Sequence, residues 1–325
     1  MPAESINIAV LDIGTQTFRM AVFNVEVSSN GVVRCITPTL SVLRHVRLGE
    51  GLERTGLISE AAMTRGLIVL NEFQHVLQKI HDSKVVAVGT QVLRRAKNAR
   101  CFIGEARQRG FTIDVIGQEQ EAELTALGVK YSLFGLTDCC ILDIGGGSVE
   151  FSTVFEDTWR YVGGAPLGCV SLLDAFPELR PPCQQISDES TDYVTKMLAG
   201  RCVAVGDIRC LVVAGGAATA LASLALGLDE YQPRKIRGFK MSRDLLTNMW
   251  NRLADSYNQK ELEKILGNRL DILPAGIFIL LRTIDQLDLD EFIVSDSGLL
   301  FGLFIKAILK EHLHVEPSNT AGIYI

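Results

Sequence analysis

The chain has 325 residues, of which 47% are hydrophobic and 22% are charged, and its formal net charge is −6. This length is enough for two sizeable hydrophobic cores, and the composition excludes a largely disordered chain. The negative charge argues against a broad nucleic-acid-binding or membrane-binding surface, so a polyanionic ligand would have to be held by local basic groups.

The first half of the sequence predicts a meander of strands followed by alternating helices and strands. Residues 6–27 predict two strands joined by a turn at Gly14–Thr17. The next predicted elements are a strand at 32–38, a helix at 59–80 with Ser59 as its N-cap, a strand at 85–88, a helix at 93–109, a strand at 113–116 and a helix at 119–133. This order is typical of an α/β layer structure with a mixed sheet.

The tetrapeptide Leu-Asp-Ile-Gly occurs at Leu11–Gly14 and again at Leu142–Gly145, each time between an apolar run and a second β-rich run. After the second copy, the order of the first half returns with insertions. We therefore predict a duplicated α/β fold with two domains, residues 1–126 and 127–325, whose halves face each other across a phosphate-binding cleft. The last helix, 299–309, is expected to pack back on the first domain.

The first loop, Asp12–Thr17, follows the end of a strand and is rich in small and hydroxyl residues. Gly14 permits the turn, and Thr15 and Thr17 supply hydroxyl groups beside backbone N–H donors. Asp12 is a candidate ligand for a divalent cation, bound through water. An ordinary hairpin with an aspartate at its mouth explains this loop equally well when it is considered alone.

The second loop, Asp143–Ser148, is more specific because three consecutive glycines, 145–147, allow the backbone to approach a ligand closely. Glu150 lies past the turn, where it can meet Asp143 at the mouth of the hairpin. Two carboxylates that converge near phosphate donors repel each other unless a cation lies between them, so we predict both as metal ligands. The equivalent position in the first hairpin is Arg19, which we predict to bind phosphate.

A third glycine turn, Ala214–Thr219, follows a strand and opens a helix. This turn indicates either tight packing or a contact between helix amides and a nucleoside or further phosphate.

The sequence also predicts a soluble, cytoplasmic protein with reduced cysteines. The first residues lack the basic segment of a signal peptide, and the longest apolar stretch, 272–281, is too short to span a bilayer. Most of the eight cysteines lie in apolar, strand-like runs, and none forms a Cys-x-x-Cys pair. We therefore predict core thiols rather than disulfides or a structural zinc site.

Several segments together resemble the exopolyphosphatase/guanosine pentaphosphate phosphohydrolase family in its short, two-domain form. They are Asp12–Thr17, Gly89–Arg94, Glu121-Ala122, Asp143–Glu150 and Ser295–Leu299, with further similarity at 47–52 and 167–171. The resemblance covers nearly the whole chain. It implies an α/β fold of two ribonuclease H-like domains of the actin, Hsp70 and sugar-kinase superfamily, with mixed sheets around an interdomain cleft.

The resemblance also implies a role for each candidate site residue. Glu121 matches the catalytic glutamate, which polarises a water for in-line attack on the terminal phosphorus. Without the resemblance, the simpler interpretation of Glu121 is a solvated acid on the surface of a helix. Asp143 and Glu150 match metal-binding carboxylates, and Arg94 matches an arginine that reaches the phosphate. The two phosphate loops match at Gly14, Thr15, Gln16 and Thr17 and at Gly145, Gly146, Gly147 and Ser148.

Three regions depart from the family pattern. Thr15–Thr17 reads Thr-Gln-Thr where Ser-Asn-Ser is usual. Gln120 and Glu123 stand where a glutamate and an arginine are usual, which reverses a charge near the proposed base. Leu300 follows the Ser295–Leu299 segment where an arginine is usual, which removes a candidate contact with the substrate.

Two basic segments, 94–100 and 234–240, are either solvated surface charges or a track for a chain substrate. The second segment contains Arg234, Lys235, Arg237 and Lys240. If these residues form a track, their replacement should raise the KM for long polyphosphate more than for short chains.

We predict an exopolyphosphatase that depends on Mg²⁺ or Mn²⁺ and releases orthophosphate from inorganic polyphosphate. Guanosine pentaphosphate is the alternative substrate, and the sequence does not separate the two. A catalytically weak sensor of alarmone or polyphosphate and an ATP-dependent sugar or acid kinase are the competing classes. No nucleic acid or membrane is expected as a partner, and the sequence leaves open whether the protein forms a homodimer.

Overall fold

The computed structural model describes residues 4–133, 136–155, 158–181, 186–254, 262–263, 266–315, 320 and 323–324. The chain divides into two compact units. Unit 1 comprises Met1–Gly135 together with Ser297–Ile325, and unit 2 comprises Leu136–Asp296. The sequence-based boundary at 126/127 lies inside a helix of unit 1, and the last helix belongs to that unit rather than to the second half.

Unit 1 contains one five-stranded mixed sheet with the order β3-β2-β1-β4-β5. Its strands are β1 (Glu4–Ile13), β2 (Thr17–Val27), β3 (Val33–His45), β4 (Ser83–Gly89) and β5 (Ile113–Val115). Its first helices are α1 (Leu52–Thr55), α2 (Glu60–Leu77), α3 (Gln91–Arg95), α4 (Ala99–Gln108) and α5 (Gln118–Lys130). The first three strands are antiparallel neighbours, whereas β4 pairs parallel to β1 and β5 parallel to β4.

Unit 2 contains one six-stranded sheet with the order β10-β11-β9-β6-β7-β8. Its strands are β6 (Cys139–Ile144), β7 (Val149–Phe155), β8 (Thr158–Ala165), β9 (Cys210–Ala214), β10 (Lys240–Ser242) and β11 (Glu291–Val294). Its helices include α6 (Cys169–Ala175), α7 (Asp188–Val205), α8 (Gly216–Ala225), α9 (Pro233–Ile236), α10 (Arg243–Ala254) and α11 (Leu273–Leu287). The order β8-β7-β6-β9-β11 repeats the strand order of unit 1, and β10 is an additional antiparallel edge strand.

The predicted helix at 93–109 is two helices, α3 and α4, because the chain becomes extended at Ala96. Asn98 stabilises the break: its side chain accepts a hydrogen bond from Ile58 N–H at 2.9 Å and donates one to Ile58 O at 2.8 Å. The predicted N-cap of α2 is present, since the Ser59 hydroxyl accepts a hydrogen bond from Ala62 N–H at 3.2 Å. Long-range contacts therefore override the helical pattern at Ala96, whereas the local cap follows the sequence.

The two central strands β1 and β2 of unit 1 are buried on both faces over most of their length. On β1, Ala9, Leu11 and Ile13 face one hydrophobic cluster, and Ile8 and Val10 face another. This alternation follows the two-residue period of a strand. The first cluster includes residues of α2 and α4, and the second joins the strands to the final helix, α12 (Leu299–Lys310).

Two glycines allow α12 to lie against α5 at very short distance. A Cβ on Gly302 would lie 1.7 Å from Leu124 O, and one on Gly128 would lie 2.3 Å from Gly298 O. Side chains larger than hydrogen are therefore excluded at both positions. Phe304 of α12 also stacks on Phe23, with 3.8 Å between ring centroids. Leu300, which replaces a usual arginine, is buried in the same core.

The cysteines in the described part of the chain are free thiols, and Cys183 lies outside that part. Burial raises the pKa of the Cys169 thiol to about 12. Within the same described ranges, no helix combines the length and the apolar character needed to cross a membrane.

Candidate active site

The two Leu-Asp-Ile-Gly hairpins form the same turn. Gly14 N–H donates to Thr17 O at 3.1 Å in unit 1, and Gly145 N–H donates to Ser148 O at 2.9 Å in unit 2. A Cβ would lie 2.9 Å from Thr17 O at the first glycine and 3.2 Å from Ser148 O at the second. The sequence repeat therefore corresponds to a repeated tight turn, which excludes a Cβ at Gly14 and leaves little room for one at Gly145.

In the first loop, neighbouring backbone holds the carbonyl groups. Thr15 O accepts a hydrogen bond from Gly49 N–H at 3.0 Å, and Gln16 O accepts from Val46 and Arg47 N–H groups at 3.1 and 2.9 Å. Neither the Thr15 nor the Gln16 N–H has an acceptor in the described part of the chain. A loop whose carbonyls are occupied and whose N–H groups remain available is suited to an anion. The side chains of Thr15 and Gln16 are also buried.

The second loop has the same arrangement. Gly145 O accepts from Cys169 N–H at 3.0 Å, and Gly146 O accepts from Val170 and Ser171 N–H groups at 2.7 and 3.2 Å. Across the ranges that the structure covers, the N–H of Gly146 has no acceptor. The start of α6 thus orients the second loop as residues 46–49 orient the first.

Gly168 explains why the segment 167–171 belongs to the family pattern. A Cβ on Gly168 would lie 2.3 Å from the nitrogen of Gly147 and 2.5 Å from the carbonyl oxygen of Gly146. The Ser171 hydroxyl accepts a hydrogen bond from Gly168 N–H at 2.7 Å. The three-glycine loop therefore packs directly against another glycine, and Ser148 at its end is 2% exposed.

Strand register brings the predicted carboxylate pair together. Asp143 on β6 is directly opposite Glu150 on β7, so both side chains lie on the same face of the sheet. Asp143 is half-buried and Glu150 is buried. Two adjacent carboxylates repel each other unless a cation lies between them, so this pair fits a divalent ion that keeps several waters. No group of three or more His, Cys, Asp or Glu side chains that could hold a metal occurs among the described residues.

In unit 1 the same register places Asp12 opposite Arg19. Both side chains are half-buried, as is that of Thr17. The first hairpin therefore carries one carboxylate and one cation where the second carries two carboxylates. The predicted equivalence of Arg19 and Glu150 agrees with this register.

The third glycine turn lies against the second loop. Ala214 on β9 is the register partner of Asp143, and Gly215 has a φ of 99°. A Cβ on Gly215 would lie 2.5 Å from Ile144 O. In unit 1 the corresponding position is Gly89, the last residue of the parallel strand β4 and the register partner of Ile13. The turn at Gly89 and the turn at Gly215 are therefore equivalent, since each lies at the end of a parallel strand and opens a helix, a correspondence that was not predicted from the sequence.

Glu121 and Arg94 form a buried ion pair. Arg94 Nη1 lies 2.6 Å from Glu121 Oε2 and also donates to Ile116 O at 2.8 Å. The side chains of Arg94 and Glu121 are 17% and 11% exposed. The roles predicted for these two residues from the sequence were separate and did not include this contact. A solvated surface acid, the simpler explanation for Glu121 from sequence, is inconsistent with this burial.

The two departures beside Glu121 lie on the outside of α5. Gln120 and Glu123 are exposed, whereas Glu121 is buried. Residues one or two positions apart on a helix do not face each other. Glu123 forms an ion pair with Lys306 of α12 at 3.2 Å. The additional negative charge is therefore balanced within unit 1 and points away from Glu121.

Much of the predicted basic track is occupied by acidic partners. Arg237 forms a bidentate ion pair with Asp296, with Nε–Oδ1 at 2.5 Å and Nη2–Oδ2 at 3.0 Å, and the two side chains are 6% and 0% exposed. Lys240 pairs with Glu291 at 2.9 Å on the surface. Arg237 therefore fits neither alternative drawn from the sequence, a solvated surface charge or a track residue, because its guanidinium is buried against a carboxylate.

Comparison with known proteins identifies a family and similar structures. The sequence pattern of the Ppx/GppA phosphatase family matches residues 25–311. A guanosine-5'-triphosphate,3'-diphosphate pyrophosphatase of Aeromonas hydrophila is 28% identical over 313 residues, and one of Vibrio campbellii is 28% identical over 305 residues. These alignments cover 94% and 92% of this chain but only 60% and 59% of the two relatives.

Solved structures share the fold over the full alignment. A Ppx/GppA family member of Aquifex aeolicus is 28% identical, with a TM-score of 0.76 and coverage of 96% of this chain and 100% of the other. An exopolyphosphatase of Cytophaga hutchinsonii has a TM-score of 0.81, 22% identity and coverage of 94% and 98%. At that identity, the second similarity concerns the fold alone.

Proposed function

The chain belongs to the Ppx/GppA phosphatase family, and from that membership we propose that it hydrolyses the terminal phosphoanhydride bond of a phosphate-chain substrate. The observation that carries this proposal is the buried Glu121–Arg94 ion pair in unit 1. Phosphoanhydride hydrolysis needs an oriented water, donors for the phosphoryl oxygens and a cation that neutralises charge. The chain contains residues suited to each of these tasks.

Glu121 is proposed as the group that orients the attacking water. A carboxylate can accept several hydrogen bonds, and its contact with Arg94 fixes its orientation. Arg94 is proposed to contact the phosphate, where its positive charge would counter the negative charge on the phosphoryl oxygens. The N–H groups of Thr15, Gln16 and Gly146 are proposed as further donors to phosphate oxygens.

Asp143 and Glu150 are the residues that would hold a divalent cation, Mg²⁺ or Mn²⁺, and Asp12 is a further candidate through water. When bound, such an ion neutralises phosphate charge. The chain's own contribution is the cross-strand register, which keeps the two carboxylates adjacent. Gly215 maintains this part of the site because a side chain there would collide with Ile144 O.

Guanosine pentaphosphate and inorganic polyphosphate are the two candidate substrates. The names of the curated relatives favour guanosine pentaphosphate. The acidic partners of Arg237 and Lys240 weaken the case for a track along a long polyphosphate chain. We therefore rank guanosine pentaphosphate first, with a short inorganic polyphosphate as the second candidate.

Phosphate release by the purified chain with Mg²⁺ tests this proposal on guanosine pentaphosphate, on inorganic polyphosphate of short and long chains, and on ATP. Glu121→Gln should lower kcat by roughly 10²–10⁴-fold, the usual contribution of a general base, without abolishing binding. Glu119→Gln, on an exposed face of the same helix, is the matched control and should leave kcat unchanged. Binding of either substrate without phosphate release by the wild-type chain would instead support a sensor.

A further inference from the structure

Gln91, the first residue of α3, lies outside the set of predicted site residues but touches the first loop. Its side chain is buried, with 4% of the residue exposed. Its Oε1 accepts a long hydrogen bond of 3.4 Å from the Thr15 hydroxyl. Its Nε2 is buried and has no hydrogen-bond partner in the described part of the chain. A buried amide nitrogen is costly unless an acceptor satisfies it.

Gly49 determines which way the Thr15 side chain points. A Cβ on Gly49 would lie 2.4 Å from Cγ2 of Thr15, so the glycine leaves the space that the methyl group fills. The hydroxyl is thereby directed toward Gln91. A hydroxyl has a single hydrogen to donate, and Thr15 uses it on the amide oxygen. The hydroxyl therefore cannot donate to a phosphate at the same time.

The acceptor that Gln91 needs has a definite chemistry. Its Nε2 offers two N–H donors and no acceptor. The Gln16 amide is also buried, and neither of its polar atoms has a partner within the described ranges. Arg94 follows on the same helix and carries a positive charge. A phosphate has only acceptor oxygens and a negative charge, so it satisfies the amide nitrogens of Gln91 and Gln16, whereas a cation or an apolar group does not.

We propose that Gln91 is a phosphate-binding residue whose amide N–H donates to a substrate oxygen, and that Thr15 is a positioning residue that orients this amide. The proposal rests on the proposed function, because it takes the substrate to be a phosphate chain. It assigns to Gln91 the donor role that the sequence analysis gave to the Thr15 hydroxyl.

The test uses the full chain with Mg²⁺ and inorganic tripolyphosphate as the probe, with binding measured by calorimetry and unfolding followed with and without the probe. Gln91→Met preserves the length of the side chain and removes its donors. We expect tripolyphosphate affinity to fall roughly 10- to 100-fold, the range for hydrogen bonds to charged groups. Without ligand, the melting temperature should change little, because the variant removes a buried amide nitrogen without an acceptor and also the distant acceptor of the Thr15 hydroxyl.

Thr153→Val is the matched control, because it removes a buried hydroxyl of β7 that has no partner among the described residues. It should leave tripolyphosphate affinity unchanged. A lower melting temperature of Gln91→Met without ligand, combined with wild-type affinity, would overturn the proposal and make Gln91 a structural residue.

Thr15 provides a second, independent test. Thr15→Val keeps the methyl group beside Gly49 and removes the hydroxyl, so it should weaken binding in the wild-type background and have no further effect in Gln91→Met. Equal losses in both backgrounds would mean that Thr15 itself contacts phosphate, which overturns the assignment. Tripolyphosphate binding by a wild-type chain that releases phosphate from none of guanosine pentaphosphate, polyphosphate and ATP would refute the proposed hydrolysis and leave the test of Gln91 intact. Absence of tripolyphosphate binding would overturn the assignment of Gln91, whereas the hydrolysis of guanosine pentaphosphate is judged by phosphate release alone.

Discussion

The Arg237–Asp296 ion pair gives a quantitative prediction about unit 2. Both side chains are almost fully buried, and two hydrogen bonds join them. Arg237→Met leaves the Asp296 carboxylate buried without its guanidinium. Removal of one partner of a buried ion pair costs about 3–5 kcal/mol, because the remaining charge cannot be solvated. Since domains are stable by only about 5–15 kcal/mol, the variant should lose a large part of its stability.

Urea denaturation followed by circular dichroism measures this effect as the change in the free energy of unfolding. The double variant Arg237→Met/Asp296→Asn should be less destabilised than the sum of the two single variants, because it removes both charges. Lys240→Met is the control: it breaks the exposed pair with Glu291 and should change stability little.

The result that would refute this reasoning is specific. If Arg237→Met keeps wild-type stability and raises the KM for long polyphosphate more than for short chains, the residue binds substrate and the buried ion pair is unimportant. A large loss of stability with no selective effect on chain length would support the structural role.

Three further predictions concern the helix contact, the buried thiols and the carboxylate pair. Gly302→Ala should lower the free energy of unfolding by about 3 kcal/mol or more, because its Cβ would collide with Leu124 O. Gly104→Ala is the control: this helical position has open space around it, so the same change should raise the free energy of unfolding by about 0.5–1 kcal/mol. The free energy of unfolding should fall as the pH rises from 9 toward 12, by about 1.4 kcal/mol per pH unit for Cys169, because the unfolded thiol ionises while the folded thiol, with a pKa of about 12, keeps its proton. Urea titrations at pH 8 and 10 should show that this free energy falls less in Cys169→Ala than in the wild-type chain. An equal fall in both would contradict the prediction. Glu150→Gln should weaken Mg²⁺ binding, measured by calorimetry, by at least about 10-fold, because loss of a ligand costs no less than loss of a residue that only orients one, and wild-type affinity would exclude Glu150 as a ligand.

The sequence alone determined the features that depend on local spacing. The repeated Leu-Asp-Ile-Gly segments predicted two hairpins, and both turns have the same hydrogen bond. The separation of Asp143 and Glu150 across the turn predicted their adjacency, because side chains alternate along paired strands. The Ser59 cap is local in the same way. In each case the residues involved are neighbours in sequence, so few backbone angles decide whether they meet.

Tertiary structure alone decided the contacts between residues distant in sequence. Arg94 meets Glu121 and Arg237 meets Asp296 only because helices and loops pack in one particular way on each sheet. The break between α3 and α4 depends on a contact between Asn98 and Ile58, which no helical pattern encodes. A charge in the sequence therefore does not reveal whether it is a surface charge or half of a buried pair, because its energy depends on burial and on a partner that the fold supplies.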